Sequence, residues 1–326
     1  MSASEPPTPY PLPQFPDKLS RPSYAETGKP RDGESAKFLV VGADGMLGTD
    51  LAAELRSRGH EVATPSLDQL DIADPESVVR IGELGGFDWV VNCAAYTAVD
   101  KAETETREAT EVNHLGAGYL AGAVRSVGAK LIHVSTDFVF DGKAAEPYRE
   151  DAPTHPLGVY GRTKRDGEEA VLANNANALI VRTAWLYGPN GNSFPRTIIR
   201  AHRAGKALRV VADQTGCPTY TADLARVLVD LAERNAFPGI YHAVGPEAMT
   251  WHEFAGRAVR TWQRTHGEPE GVEIEPIKTE DWPTPAARPK YSVLSTAKIA
   301  ELGIAPMRPV DEALNEFCLR LASSAH

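Results

Sequence analysis

The sequence predicts an α/β fold, a doubly wound parallel sheet with a smaller, interleaved C-terminal lobe. Three observations carry this. A strand-length apolar run, Lys37-Phe38-Leu39-Val40-Val41, leads through a glycine-rich turn into a helical repeat. Strand patterns then alternate with helical ones to about residue 182, the order that places parallel strands in one sheet. Beyond about residue 185 the alternation weakens, and prolines between residues 268 and 292 favour loops and short strands over long helices.

The first unit is the most explicit. Gly42-Ala43-Asp44-Gly45-Met46-Leu47-Gly48 follows the strand, and Leu47, Leu51 and Leu55 recur at helical spacing towards Arg58. Strand, glycine turn and helix in that order form a Rossmann-type dinucleotide fingerprint. The glycines permit a tight turn, close approach to a pyrophosphate and close helix packing. Phosphate then meets a helix N-terminus, where N–H groups and the macrodipole favour negative charge. Gly42, Asp44, Gly45, Met46, Leu47 and Gly48 are therefore the expected cofactor loop. A structural glycine turn in another βαβ protein is the plainer alternative, and the flanking strand and helix weigh against it.

The remaining elements follow in order. Glu61-Val62-Ala63-Thr64 reads as a second strand and Leu70-Asp71-Ile72 as a short third, with Pro75 suited to the first turn of a helix. Trp89 to Ala94 is the fourth strand. A helix over about 107–127 leads to Lys130 to Ser135, and a helix carrying Tyr160 and Lys164 leads to Ala178 to Arg182. Thr250-Trp251-His252-Glu253 reads as a capping box opening a late helix. Ligands of such sheets bind beyond the carboxyl ends of the strands. Gly42, Ala94, Thr136 and Trp185 each fall just past a predicted strand, so they gather at one edge. The expected division is a Pro-rich tail or linker over 1–35, an NAD(P)-binding domain over 36–185, and a mainly substrate-binding lobe over 186–326 with segments returning to the first domain.

Composition excludes several classes. The chain has 326 residues, 42% hydrophobic and 24% charged, as in an ordinary soluble globular protein. A formal net charge of −10 disfavours a general nucleic-acid binder. No apolar run reaches membrane-spanning length, and no signal-peptide pattern is present. Cys93, Cys217 and Cys318 match no metal or disulfide spacing, and reduced thiols in a cytoplasmic protein are the simplest account. The opening segment, with Pro6, Pro7, Pro9, Pro11, Pro13 and Pro16, cannot bury enough apolar surface to offset its ordering entropy.

The chemistry is carried by Tyr160-Gly161-Arg162-Thr163-Lys164 together with Ser135-Thr136-Asp137. Tyr160 and Lys164 lie one turn apart on one helix face. An ammonium near a phenol lowers the phenol's pKa from about 10 towards working pH. Such a tyrosine exchanges a proton with a carbonyl or alcohol oxygen, and the Thr136 hydroxyl completes the hydrogen bonds around it. Alone, this spacing mostly marks a solvated helix face; the upstream dinucleotide fingerprint gives it force.

The glycine loop with Tyr-x-x-x-Lys resembles the extended short-chain dehydrogenases/reductases. Asn92-Cys93-Ala94-Ala95-Tyr96-Thr97-Ala98-Val99-Asp100-Lys101-Ala102-Glu103 narrows the resemblance to the dTDP-4-dehydrorhamnose reductase family. So do Ser135 to Gly142, Arg182-Thr183-Ala184-Trp185, Asp213 to Thr219, and Arg288-Pro289 with Ser292. The similarity spans about residues 37 to 320. It implies reduction of the 4-keto group of dTDP-4-dehydro-β-L-rhamnose by a nicotinamide cofactor, the last step of dTDP-L-rhamnose synthesis. It also implies Tyr160 as proton donor, Lys164 as the group that lowers its pKa and holds the nicotinamide ribose, and Thr136 as a hydrogen bond to the keto oxygen. Trp185 would pack on the sugar ring and Asp137 would bind its hydroxyls. Arg182 and Arg288 are each suited to bind the diphosphate by charge-assisted bonds, and equally to a structural role. Ala94, Ala95, Tyr96 and Thr97 would border the cofactor, with Asp71 and Ile72 flanking the adenine. The family leaves monomer and homodimer both open. Relatives fused to the pathway's preceding epimerase offer one origin for the tail and one candidate partner.

Cofactor choice follows from the end of the second strand. An acid there binds the ribose 2′-hydroxyl and repels a 2′-phosphate. Thr64-Pro65-Ser66 has no acid, and Thr64 and Ser66 are suited to donate to a 2′-phosphate. NADPH is therefore expected to be preferred, with NADH usable. His114, His155 and His242 lack ligand spacing for zinc, and no metal site is assigned; Asp50 alone falls where some relatives bind Mg2+. Two other functions fit the same fold. One is another nucleotide-sugar 4-ketoreductase or an NAD-dependent epimerase or dehydratase, although Phe138 stands where a dehydratase needs an acid. The other is a non-catalytic regulatory subunit, which intact Thr136, Tyr160 and Lys164 disfavour.

Overall fold

A computed structural model describes residues 35–323. The Pro-rich segment read as a tail lies, apart from its last residue, outside the described residues. Strands β1 (Lys37–Val41), β2 (Glu61–Ala63), β3 (Trp89–Asn92), β4 (Lys130–Thr136) and β5 (Leu179–Thr183) alternate with helices. The helices are α1 (Met46–Ser57), α2 (Pro75–Val79), α3 (Thr106–Thr110), α4 (Ala117–Ser126) and α5 (Val159–Asn174). The second half supplies β6 (Leu186–Tyr187), α6 (Phe194–Arg203), β7 (Leu208–Val211), β8 (Thr215–Gly216), β9 (Thr219–Tyr220) and α7 (Thr221–Glu233). It continues with β10 (Gly239–His242), β11 (Met249–Thr250), α8 (Trp251–His266), β12 (Ile274–Ile277), α9 (Ala297–Glu301) and α10 (Val310–Ser323).

The central sheet is wholly parallel, in the order β2-β1-β3-β4-β5-β10. Its strands are apolar on both faces, as a sheet sandwiched by helices requires. Phe38 and Val40 face a core made with Leu47, Leu51 and Leu55 of α1 and Leu224, Leu228 and Leu231 of α7. Leu39 and Val41 face the opposite core, with Val78, Leu120, Val124 and Val171 of α2, α4 and α5. The expected doubly wound α/β fold is thus observed. The sixth strand comes from the second half of the chain: β10 pairs with β5 from Gly239↔Leu179 to His242↔Arg182. A separate core under the C-terminal helices joins Tyr187, Tyr220, Phe254, Trp262, Leu314 and Phe317. Among the described residues no helix is long and apolar enough to cross a membrane.

Leu70-Asp71-Ile72 does not form the expected strand. Turn chemistry wins there. Gln69 and Leu70 donate to the Ser66 carbonyl, and the Asp71 side chain accepts from the Ala73 N–H at 2.9 Å. Asp74 then caps α2 through the Glu76 N–H. Leu70 and Ile72 are still buried, but as plugs in the core rather than as sheet residues. The helix expected over about 107–127 is present with one interruption, a π-helical stretch from Glu111 to Gly116 between α3 and α4. Thr250 and Glu253 form the expected reciprocal cap.

Candidate active site

The glycine turn is built for close approach. Gly42 has φ +75°, and a Cβ there would lie 2.7 Å from the Ala94 nitrogen, so only glycine lets β1 and the loop after β3 meet. Helix α1 has Gly45 as its N-cap, with no side-chain cap and no acid in its first turn. Its N-terminal N–H groups and dipole are left for an anion. These features fit the pyrophosphate of a dinucleotide.

A cavity of about 830 Å³ opens over this turn. Its wall contains Gly42, Asp44, Gly45, Met46, Leu47 and Gly48, then Asp71 and Ile72, then Ala94, Ala95 and Thr97. The far wall holds Thr136, Asp137, Tyr160, Lys164 and Trp185. Residues scattered over more than a hundred positions thus converge at the carboxyl edge of the sheet. Two expected cofactor residues do not line this cavity. Ser66 is exposed on the rim, and its amide and hydroxyl both turn to Gln69. Tyr96 is pinned from both sides of its backbone by Asn113, and its hydroxyl donates to Glu105.

The reacting groups sit at the end of β4 and the start of α5. Thr136 accepts from the Phe138 N–H at 3.2 Å and donates to Asp137 at 3.1 Å, fixing its hydroxyl at the strand end. Asp137 is buried, and burial raises its pKa to about 6 against hydrogen bonds from Ser292 and Thr136 that lower it. The start of α5 is held by Glu103, whose carboxylate accepts from the Val159 N–H at 2.7 Å. Burial pushes the Tyr160 phenol up to about 12, against a hydrogen bond with Thr136 that lowers it. Lys164 is not among the groups that set this shift. Its ammonium turns into the sheet and donates to the Val134 carbonyl at 2.8 Å, and burial draws its pKa down to about 8. The expected acidified phenol is therefore corrected to a firmly protonated one, because desolvation outweighs any distant positive charge.

A second cavity of about 520 Å³ adjoins the first, and the two share Val99, Phe138 and Trp185 as walls. Its lining is apolar, with Val210, Ile277, Trp251 and Trp282, and carries Arg209 and Arg288. Arg288 faces this second cavity and makes a bidentate pair with Asp100 at 2.5 and 2.7 Å. Arg182 is excluded from any ligand role: it is buried and forms a bidentate pair with Glu168. Asp50 is likewise taken up internally, by Thr221, Asn190 and Arg320. Trp185 sits between the cavities at φ 47°, a strained backbone for its type, and stacks on Trp251 at 3.4 Å between ring centroids. Trp251, Trp282 and Arg209 were not foreseen. An aromatic directly after a capping threonine was the one available signal for Trp251.

Comparison with known proteins agrees with this geometry. Residues 36–323 match the family described as RmlD substrate binding domain. The dTDP-4-dehydrorhamnose reductase of Mycolicibacterium smegmatis is 42% identical over 287 residues, 87% of this chain and 86% of that protein. This chain belongs to the dTDP-4-dehydrorhamnose reductase family. Another family relative, the spore coat polysaccharide biosynthesis protein SpsK of Bacillus subtilis, is 41% identical over 89% of this chain and 99% of its own length. The crystal structure of dTDP-4-dehydrorhamnose reductase from Bacillus anthracis, in complex with NADP, superposes with a TM-score of 0.81 at 35% identity, covering 88% of this chain and 99% of that one.

Proposed function

We propose that this family member reduces the 4-keto group of dTDP-4-dehydro-β-L-rhamnose to dTDP-β-L-rhamnose with NADPH, the final step of dTDP-L-rhamnose synthesis. The observation that carries the reading is the meeting of Thr136, Tyr160 and Lys164 with the glycine turn in one cavity that continues into an apolar, arginine-bearing one. A nicotinamide cofactor supplies the hydride that reaches the sugar's C4. Gly42 to Gly48 and the open start of α1 hold its pyrophosphate, and Asp71 and Ile72 flank its adenine. Lys164 holds its ribose as an ammonium. The Thr136 and Tyr160 hydroxyls bind the keto oxygen, and Tyr160 gives its proton to that oxygen as the alcohol forms. Trp185 packs on the hexose and Asp137 receives its hydroxyls. The thymine enters the second cavity, and Arg288 and Arg209 face the diphosphate.

A phenol held near 12 suits this direction of reaction: the donor is protonated before each turnover. The absence of an acid after β2 leaves room for a 2′-phosphate, so kcat/KM will be higher with NADPH than with NADH. Generating the keto sugar in situ and following loss of nicotinamide absorbance tests both statements. No turnover with either cofactor would defeat the reading, and a strong NADH preference would defeat the cofactor assignment.

Gly216 gives a second handle. A Cβ at this position would collide with the Trp185 indole. Gly216→Ala will therefore displace the ring and lower kcat/KM for the keto sugar by about 10- to 100-fold, while binding of NADPH, followed by its fluorescence, changes little. Unchanged kcat/KM would remove Trp185 from the sugar site.

A further inference from the structure

Behind the reacting groups lies a buried chain of polar contacts that the proposed reaction does not use. Asn92, at the end of β3, accepts from the Ala94 N–H at 3.0 Å through Oδ1. Its Nδ2 is thereby turned to His133 Nδ1, 3.1 Å away. An amide NH2 only donates, so Nδ1 is the acceptor and the ring proton sits on Nε2. That Nε2–H faces Lys164 Nζ at 3.5 Å. An ammonium has donors alone, whereas a neutral amine accepts the imidazole proton and still donates to Val134. All three side chains are buried, so the opposition is weakly screened.

We propose that His133 is a positioning residue that governs the charge on Lys164, through a tautomer fixed by Asn92. Ala94 lines the cofactor cavity, so the chain links that wall to the lysine on α5. The other titratable groups around Lys164 are Cys93 at the end of β3, Glu168 one turn further along α5 and Tyr160 one turn earlier. Glu168 favours the ammonium but is already committed to Arg182 and Ser135. Cys93 is a half-buried thiol, held near 12 by desolvation and so neutral. His133 stays neutral, pushed well below its ordinary range by burial and then by Lys164. Burial draws the amine down to about 8, and the imidazole, by its Nε2–H at 3.5 Å, is the group whose geometry adds to that opposition.

The inference deepens the proposed reaction and rests on it for its kinetic consequence alone. That consequence is loss of kcat on the alkaline side as Lys164 gives up its proton. The test begins without substrate or cofactor. Nitrogen-15 histidine spectra of the unaltered protein will show His133 as the Nε2–H tautomer; an Nδ1–H tautomer overturns the proposal. Lysine side-chain NMR titrations will show Lys164 losing its proton about one pH unit later in His133→Met than in the unaltered protein. His133→Gln, which keeps a donor facing Nζ, will titrate like the unaltered protein. Coincident titrations of Met variant and unaltered protein sink the idea, as does a Gln variant that shifts with Met. In the reductase assay the alkaline limb will move in parallel. A shifted titration in a protein that never reduces the keto sugar would count against the assigned reaction and leave the role of His133 standing.

Discussion

Replacing Tyr160 by Phe will lower kcat for keto-sugar reduction by about 10²- to 10⁴-fold while leaving NADPH affinity nearly unchanged. The change deletes one oxygen and keeps the ring, which packs edge-on to Phe138 with centroids 5.5 Å apart. Folding is therefore spared. What disappears is the proton donor: Thr136 keeps its hydroxyl as a hydrogen bond to the keto oxygen, but an aliphatic alcohol is a far weaker acid than a phenol and does not replace it. The direction of the Tyr160 shift matters here. A phenol near 12 is protonated throughout the neutral range, so wild-type activity will not fall on the acid side through Tyr160. Steady-state kinetics of the two proteins, with cofactor binding measured separately, check this. Equal kcat values would remove Tyr160 from the reaction.

Arg182→Leu will destabilise the fold by about 3–5 kcal/mol. Arg182 and Glu168 are each 3% exposed, and the guanidinium meets the carboxylate at 2.9 and 2.7 Å. Ser135 donates to the same carboxylate at 2.5 Å. Removing the arginine strands a carboxylate between β4, β5 and α5, directly behind the Thr136 strand end. Replacing both partners, as Arg182→Leu with Glu168→Leu, removes the stranded charge and will recover most of the loss. Urea denaturation at neutral pH measures both. A single variant losing less than about 1 kcal/mol would show that the pair is poorly desolvated.

Some of this was legible in the sequence because short-range rules decide it. The glycine turn, the strand before it and the leucine repeat after it lie within twenty residues, and each has one structural use. Thr136, Tyr160 and Lys164 could be placed at one sheet edge because chain order fixes where parallel strands end. Leu70-Asp71-Ile72 was misjudged because three residues carry almost no periodic signal, and an aspartate that bonds its own backbone outweighs two apolar neighbours. Ser66 and Tyr96 stay out of the cavity lining for a related reason: spacing puts a residue near a cavity, but competing partners, Gln69 for one and Glu105 with Asn113 for the other, set where it turns. The wrong direction for Tyr160 has a different origin. Helical spacing brings a lysine within reach of a phenol, yet whether desolvation or charge prevails depends on how deeply the tertiary fold buries them. The Arg182–Glu168 pair and the Asn92–His133–Lys164 chain join separate strands and a helix, so they exist only once the sheet is assembled.

That assembly has an order imposed by β10. The strand beside β5 is encoded more than fifty residues later than its neighbour, and α7, which covers α1, is encoded only just before it. A ribosome must release the chain past residue 242 before the nucleotide-binding half can shut its own edge. Until then β5 offers a bare row of amides and carbonyls to any extended segment nearby. The two halves are stitched rather than strung: the nucleotide-binding sheet is complete only once a strand from the second half has joined it.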